Sequence, residues 1–524
     1  MPIELVKDLF KVEQPVGENM AQAIVEGDII VPDAKPDITR ILTVDGMIHI
    51  KKKEVKENSL DVEGVIHFKI LYASDSGDEP LYNIDSITEF NQKIEIPGLN
   101  SEMDCEVISD IEHIDYTINN DRKIGVKAVI NLDGKGLYQQ DVEITKDVEN
   151  LEDIELLKET IQYTSLIGSN TSETLVKDAF ELEDEMPGIK EVLNWNGKVF
   201  SRETKVTDGK VIVGGTLYLD LLYIADDEED TLNVMKKEIP FTHFVEVTNA
   251  YSDMQCKVEM NIEELNTEVK ENIQGVKKIV EVESVVKLKA KVMELQEKEV
   301  LVDAYSPTQP LKAEKNEIVY NQALGMSKSN ITVKETLQIP AEKPPINKVL
   351  SVQTKSILTD YTVSSGKVVV EGVLEAIMLY TAEDNYQPIY SYVQEIPFKQ
   401  SVDISNLTED AKVNLDLFTQ EVEFSQINGQ QVDVKANVLV NCDAYCNKKV
   451  EVIVSAEEAE VEESSAERSS LTICFFQKGD SLWQLAKKYN TTVKQIMETN
   501  NIESPDAINP GDHIIIEKVY NFKF

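Results

Sequence analysis

The sequence predicts a mainly β protein with short helices: three tandem antiparallel β-rich repeats followed by a small β-α-α-β module. Three observations carry this reading. A seven-residue element recurs as Pro36-Asp-Ile-Thr-Arg-Ile-Leu42, Pro187-Gly-Ile-Lys-Glu-Val-Leu193 and Pro344-Pro-Ile-Asn-Lys-Val-Leu350, at spacings of 151 and 157 residues. Glycine, tyrosine and β-branched marks follow it in the same register, as a repeat architecture requires. Residues 482–497 instead carry apolar side chains at helical spacing.

Within each repeat the elements read in order. Val25, Val176 and Val333 lie in short apolar stretches upstream of the shared element. The element itself has apolar residues at i, i+3 and i+4 behind a proline, which predicts one or two helical turns. Next come Val62-Glu-Gly64 to Tyr72, Val213-Gly-Gly215 to Tyr223 and Val370-Glu-Gly372 to Tyr380, with eight residues from Gly to Tyr each time. Their partial alternation predicts half-buried strands, and the shared glycine predicts a bulge or a close backbone approach. Ser74–Glu79, Ala225–Asp230 and Ala382–Asn385 read as hairpin loops. Glu95-Ile96-Pro97, Glu238-Ile239-Pro240 and Glu395-Ile396-Pro397 are read as a further shared mark. Strands near Val126–Ile130, Val285–Val292 and Val434–Val440 close the repeats. This places repeats at 1–152, 153–305 and 306–455, then a linker at 456–470 with six Glu in fifteen residues, and a last module at 471–518.

Charge narrows the function. The chain has 524 residues, with 52 Lys+Arg against 95 Asp+Glu, a net charge of −43. A polyanionic partner must be met by clustered basic residues, and the longest basic run is Lys51-Lys52-Lys53, so nucleic acid is not expected. Apolar residues at 42% fit a folded chain rather than an acidic tail. The opening residues, MPIELVKDLFKVEQ, lack the apolar core of a signal peptide, and no 18-residue apolar run exists, so a cytoplasmic protein without a membrane span is expected. Five cysteines (Cys105, Cys256, Cys442, Cys446, Cys474) are few and odd in number, which argues against a disulfide framework.

In the last module, Leu471–Gln477 reads as a strand, Lys478-Gly479-Asp480 as a turn, and Asp480 as the cap of a helix facing inward through Leu482, Leu485, Ala486 and Tyr489. Thr492 with Gln495 reads as a capping box for a second helix, buried through Val493, Ile496 and Met497. Asn500-Asn501 ends it, Pro510-Gly511 marks a turn, and His513–Ile516 closes the fold.

This segment resembles the LysM family through Lys478-Gly479-Asp480-Ser481-Leu482-Trp483-Gln484-Leu485-Ala486, Asn490-Thr491-Thr492-Val493, Asn500-Asn501-Ile502 and Ile508-Asn509-Pro510-Gly511. The resemblance implies a binder of N-acetylglucosamine chains, such as peptidoglycan, through loops at Gly479–Trp483 and Ser504–Gly511. The site residues expected from it are Gly479, Asp480, Ser481, Leu482, Trp483, Ile508, Asn509, Pro510 and Gly511. The repeats resemble the SPOCS family (DUF3794) of spore coat proteins through the Pro36-Asp-Ile38 segment, the Gly64–Tyr72 strand, Ile96-Pro97 and their counterparts. Together the two resemblances imply a spore coat morphogenetic protein. Such a protein would work in the mother cell at the forespore surface and bind the coat basement ATPase, stage IV sporulation protein A, through its LysM end. The module itself is near neutral, with five Lys against six acidic residues, so the negative charge lies in the repeats and linker.

Apart from Trp483, the other conspicuous residues are expected to be structural. Trp483 falls beside the inward face of its helix and has two readings, half-buried packing beside Leu482 or an exposed anchor of the kind favoured at binding hot spots, of which the anchor is preferred. Cys442 and Cys446 lack further ligands nearby for zinc and read as buried thiols. The five His (His49, His67, His113, His243, His513) are scattered, and the acidic loop Asp226–Asp230 lacks calcium-ligand spacing. No nucleotide-binding, serine-hydrolase or zinc-protease motif occurs, so no enzyme, cofactor or metal is expected.

Overall fold

In each repeat six strands alternate buried and exposed side chains and pair into two three-stranded antiparallel sheets. The computed structural model describes residues 4–76, 79, 81–149, 153–228, 230–309, 311–382, 389–458 and 471–517. The first repeat comprises β1 (Glu4–Ile30), β2 (Arg40–Lys56), β3 (Ser59–Ala73), β4 (Tyr82–Glu95), β5 (Asp104–Asn120) and β6 (Lys123–Glu149). The second comprises β7 (Glu155–Glu181), β8 (Ile189–Thr207), β9 (Lys210–Ala225), β10 (Leu232–Glu246), β11 (Gln255–Glu271) and β12 (Lys277–Tyr305). The third comprises β13 (Leu311–Gln338), β14 (Ile346–Ser364), β15 (Lys367–Ala382), β16 (Ile389–Asp403), β17 (Lys412–Asn428) and β18 (Gln431–Glu458). Sheet orders are β2-β3-β4 and β1-β6-β5 in the first repeat, with the same orders in the other two. The two sheets of a repeat bury a common core, such as Val25, Phe68, Ile94 and Ile130 in the first and Val176, Leu219, Val245 and Leu288 in the second.

The shared glycine meets both expectations at once. Gly64, Gly215 and Gly372 each stand opposite a bulge on the neighbouring strand. Each also lies under a phenylalanine ring. An added Cβ would come within 2.6 Å of Phe90, 2.5 Å of Phe241 and 2.5 Å of Phe398, respectively.

Two expectations need correction. The Pro-containing element is not helical: its residues lead directly into β2, β8 and β14, and the described helices all lie in the last module. The i, i+3, i+4 pattern arises from a bulge, which turns two consecutive residues to different surroundings. Register shifts fall at Leu42, Leu193 and Leu350. Ile41 enters the core of its own repeat, whereas Leu42 points to the molecular axis. The Glu-Ile-Pro mark is also misaligned in the first repeat. Strand pairing sets Phe90, Phe241 and Phe398 as equivalents opposite the shared glycines. Glu238-Ile239-Pro240 therefore matches Ile87-Thr88-Glu89, and Glu95-Ile96-Pro97 sits at a later turn. Of the hairpin loops, residues 77, 78, 229 and 383–385 lie outside the described residues.

The three repeats close into a ring. Strand β4 meets β8, β10 meets β14, and β16 meets β2, so the fourth strand of each repeat contacts the second strand of the next around the circle. Register-equivalent residues converge on the axis: Leu42, Leu193 and Leu350, and below them Leu81, Leu232 and Ile389, share one buried cluster. The chain thus builds, within one polypeptide, the arrangement a cyclic trimer reaches with three. Beside this cluster, residues of all three repeats line a partly open chamber of about 3360 Å³.

On the far side of the ring from the leucine cluster, the strands β1/β6, β7/β12 and β13/β18 continue as three ribbons. Each begins at a bulge beside Gly17, Gly168 or Gly325. The ribbons bury Ile144, Tyr163, Val300, Tyr320 and Val452 against one another as a stalk. Ion pairs tie them, with Lys291 to Glu13 at 2.8 Å and Lys298 to Asp8 at 3.0 Å. Strand β18 runs to Glu458, three residues into the stretch read as linker, because Glu457 and Glu458 pair with Lys312 and Leu311 across the ribbon. The remaining linker residues, 459–470, lie outside the described set. The last module, β19 (Leu471–Phe475), α1 (Leu482–Tyr489), α2 (Val493–Asn500) and β20 (His513–Glu517), sits at the tip of the stalk.

Candidate functional site: the stalk-tip module

The module's local sequence dictates its two helices. Ser481, rather than Asp480, caps α1: its hydroxyl accepts from the Gln484 amide at 3.1 Å, and the Gln484 side chain accepts from the Ser481 amide at 3.3 Å, a reciprocal capping box. The Asp480 carboxylate instead closes the preceding turn by accepting from the Gln477 amide at 2.9 Å. Thr492 caps α2, accepting from the Gln495 amide at 3.1 Å. Asn490 and Asn501 end the helices in the left-handed conformation, with φ of 49° and 54°. Of the expected inward faces, Leu482, Leu485, Ala486 and Ile496 are buried on Ile514 and Ile516 of β20, while Tyr489, Val493 and Met497 are half-buried against the same core.

The two expected loops are brought to one end of the module. The Gly511 amide donates to the Phe476 carbonyl at 2.7 Å, and the Phe476 amide to the Asp512 carbonyl at 2.9 Å. Gly479 (φ 97°) and Gly511 (φ 104°) turn the chain there. Asn509, Pro510 and Gly511 are exposed, Gly479 and Ser481 are exposed, Leu482 is buried in the core, and Ile508 packs against that core. On the outer face of the two-stranded sheet, Leu471, Ile473 and Phe475 are exposed.

Trp483 departs from the expected free anchor. It is partly buried against the stalk: its Nε1 donates to Asp303 Oδ2 at 2.8 Å, and its ring meets Tyr305 edge-on at 4.9 Å. Lys487 Nζ lies 2.6 Å from Asp303 Oδ1, and Lys315 of the third repeat 3.4 Å from the same oxygen. Tyr305 is 5% exposed, enters the module's apolar core, and donates from its hydroxyl to the Thr491 carbonyl at 2.8 Å. Burial pushes the Tyr305 hydroxyl well above its ordinary range. Burial alone would raise the Asp303 carboxyl, but hydrogen bonds from Lys487 and Trp483 and the charges of Lys487 and Lys315 hold it below the usual carboxylate value.

Sequence reading missed Asp303, Tyr305 and Asn500. Asn500 was read as a helix end, yet its side chain exchanges hydrogen bonds of 2.7 Å with the Ile515 backbone in both directions, locking α2 to β20. A signal for Tyr305 existed in the repeats. Towards the stalk tip each ribbon has a second bulge, at Lys146, Val302 and Val454, and three residues after it the first and third repeats carry Glu149 and Glu457 while the second carries Tyr305.

The cysteines and metal ligands are quickly described. Cys442 and Cys446 are buried, and burial raises the Cys442 thiol to about 11, which makes it inert. Among the described residues no group of three or more His, Cys, Asp or Glu is placed to hold a metal ion. None of the described helices is long and apolar enough to cross a membrane.

Comparison with known families assigns the parts. The model described as "SipL, SPOCS domain" matches residues 37–119, 188–270 and 345–427, which are β2–β5 and their equivalents. The LysM domain model matches residues 476–517. No curated protein and no solved structure matches the chain. This combination is that of a sporulation-related LysM protein. The chain therefore carries three copies of the SipL SPOCS domain ahead of a C-terminal LysM domain.

Proposed function

We propose that the protein is a non-enzymatic spore coat assembly scaffold, which docks onto a coat basement protein through its LysM domain and promotes encasement of the forespore. The observation that supports this best is the placement of the LysM domain at the tip of a ribbon stalk, held by named contacts to Asp303 and Tyr305. A stalk of this kind sets the reach of its grip, so that contacts made by many copies on one surface add through effective concentration. The SPOCS match is what ties the reading to sporulation. The partner is proposed to be the coat basement ATPase, stage IV sporulation protein A, and the compartment the mother-cell cytoplasm at the forespore surface.

The test is recruitment by the full chain. Purified basement ATPase is expected to retain the wild-type chain and to lose the Trp483→Glu variant, with the repeats still folded by circular dichroism. Full retention of the variant would overturn docking through the LysM domain at Trp483. The second reading, peptidoglycan or N-acetylglucosamine binding by the LysM domain, is favoured by the exposure of Asn509, Pro510 and Gly511 in the second loop. Calorimetry of the full chain with chitohexaose decides it: measurable heat that Gly511→Asp abolishes supports the glycan reading, and its absence removes it.

A further inference from the structure

The LysM domain already holds a polypeptide. The stalk segment Asp303-Ala304-Tyr305 lies against it, with the tyrosine ring in the domain's core and the aspartate between the Trp483 indole and the Lys487 ammonium. Two features mark this as recognition rather than general packing. First, the stalk does not need the domain to satisfy Asp303. In the first repeat the residue after the same bulge, Asp147, pairs with Lys158 of the following repeat at 2.9 Å. Asp303 has the equivalent partner in Lys315 at 3.4 Å, and Lys487 and Trp483 are additional. Second, the ribbon has no need of Tyr305, since the equivalent residues Glu149 and Glu457 are exposed acids on the other two ribbons. The departure from threefold repetition occurs where the domain docks.

We propose that the edge formed by Trp483, Lys487 and the Thr491 carbonyl is a recognition site for an extended acidic–aromatic peptide of the form Asp-x-Tyr, filled in cis by Asp303-Ala304-Tyr305. An external polypeptide of the same chemistry gains this edge by displacing the stalk, so the free chain is self-occupied. The site recognises by three complementary means. The indole N–H and the ammonium form a two-donor receptor for one carboxylate, the indole ring makes a T-shaped contact with a second aromatic ring, and a backbone carbonyl accepts from the phenol. This deepens the docking role proposed above and rests on it only for the identity of the external partner.

The experiment uses the full chain carrying Trp195→Phe, which leaves Trp483 as the single tryptophan of the two. Asp303→Ser with Tyr305→Glu copies the residues of the third repeat, Ser455 and Glu457, and so keeps the ribbon's own chemistry. Acrylamide is expected to quench Trp483 more strongly in this variant than in its parent. A fluorescein-labelled peptide of residues 299–306, EVLVDAYS, is expected to bind the variant at least tenfold more tightly than the parent, and Lys487→Glu is expected to abolish that gain. Equal quenching, equal or absent peptide binding, or occupation of the edge by chitohexaose in place of the peptide would overturn the proposal. If the peptide fails while Trp483→Glu still abolishes recruitment, cis occupation falls and docking stands. If the peptide binds as expected while Trp483→Glu leaves recruitment intact, the converse holds.

Discussion

Gly215 and Gly372 occupy equivalent places but are hemmed in by different atoms, and that difference can be measured. At Gly215 the three atoms nearest an added Cβ all belong to the Phe241 ring, at 2.5, 2.8 and 3.0 Å. At Gly372 it would meet Phe398 at 2.5 Å and also the Ile357 carbonyl oxygen at 2.7 Å. A ring can swing or be replaced, whereas the carbonyl belongs to the bulged strand and moves only if the ladder shifts. Overpacking of this kind costs about 1–3 kcal/mol, so both Gly→Ala variants should be destabilised by that order. Phe241→Leu should then relieve most of the Gly215→Ala penalty, leaving about 0.5 kcal/mol or less, within the usual additivity error. Phe398→Leu should leave about 1 kcal/mol or more of the Gly372→Ala penalty. Urea unfolding of the full chain, followed by near-ultraviolet circular dichroism, gives both double-mutant cycles. Equal rescue at the two sites, or no penalty at either, would refute the reasoning.

Three other outcomes follow from the packing and charge. Leu193→Ala removes one third of a layer of the axial leucine cluster and should cost about 2–5 kcal/mol; hydrogen exchange should show the loss at the ring contacts of β4 with β8 and β10 with β14, and loss confined to the second repeat would contradict closure. Lys198 lines the chamber, and burial lowers its pKa, so Lys198→Met should leave the melting temperature unchanged or raise it; a marked fall would show that the ammonium is stabilising. Asp303 is held below its ordinary value of 3.8, so docking of the LysM domain is fully present above that value and lost as pH falls through the depressed one; Trp483 fluorescence in the Trp195→Phe background should report release on acidification only below pH 3.8, and release at neutral pH would contradict the assignment.

Much of the fold was legible because the repeats share one register. Strands with Gly64, Gly215 and Gly372 could be aligned from apolar spacing alone, and the helical faces of the LysM domain followed from Leu482, Leu485, Ala486 and Ile496. Bulges were not legible. Leu42, Leu193 and Leu350 mimic helical spacing because a bulge sends neighbouring apolar residues to two different cores, one within the repeat and one on the axis. Ring closure was equally hidden, since an apolar residue facing another repeat looks the same in sequence as one facing its own. At the site, the glycine turns and capped helices were readable from short motifs. The Asp303 and Tyr305 contacts were not, because they join positions 180 and 186 residues apart.

The most direct test of the central claim is a pull-down from sporulating cells with the full chain and with a chain lacking residues 471–524. The account predicts that the coat basement ATPase is captured by the full chain and lost with the LysM domain, while the repeats remain folded. Undiminished capture by the shortened chain would place the docking surface on the SPOCS ring or stalk and contradict the account.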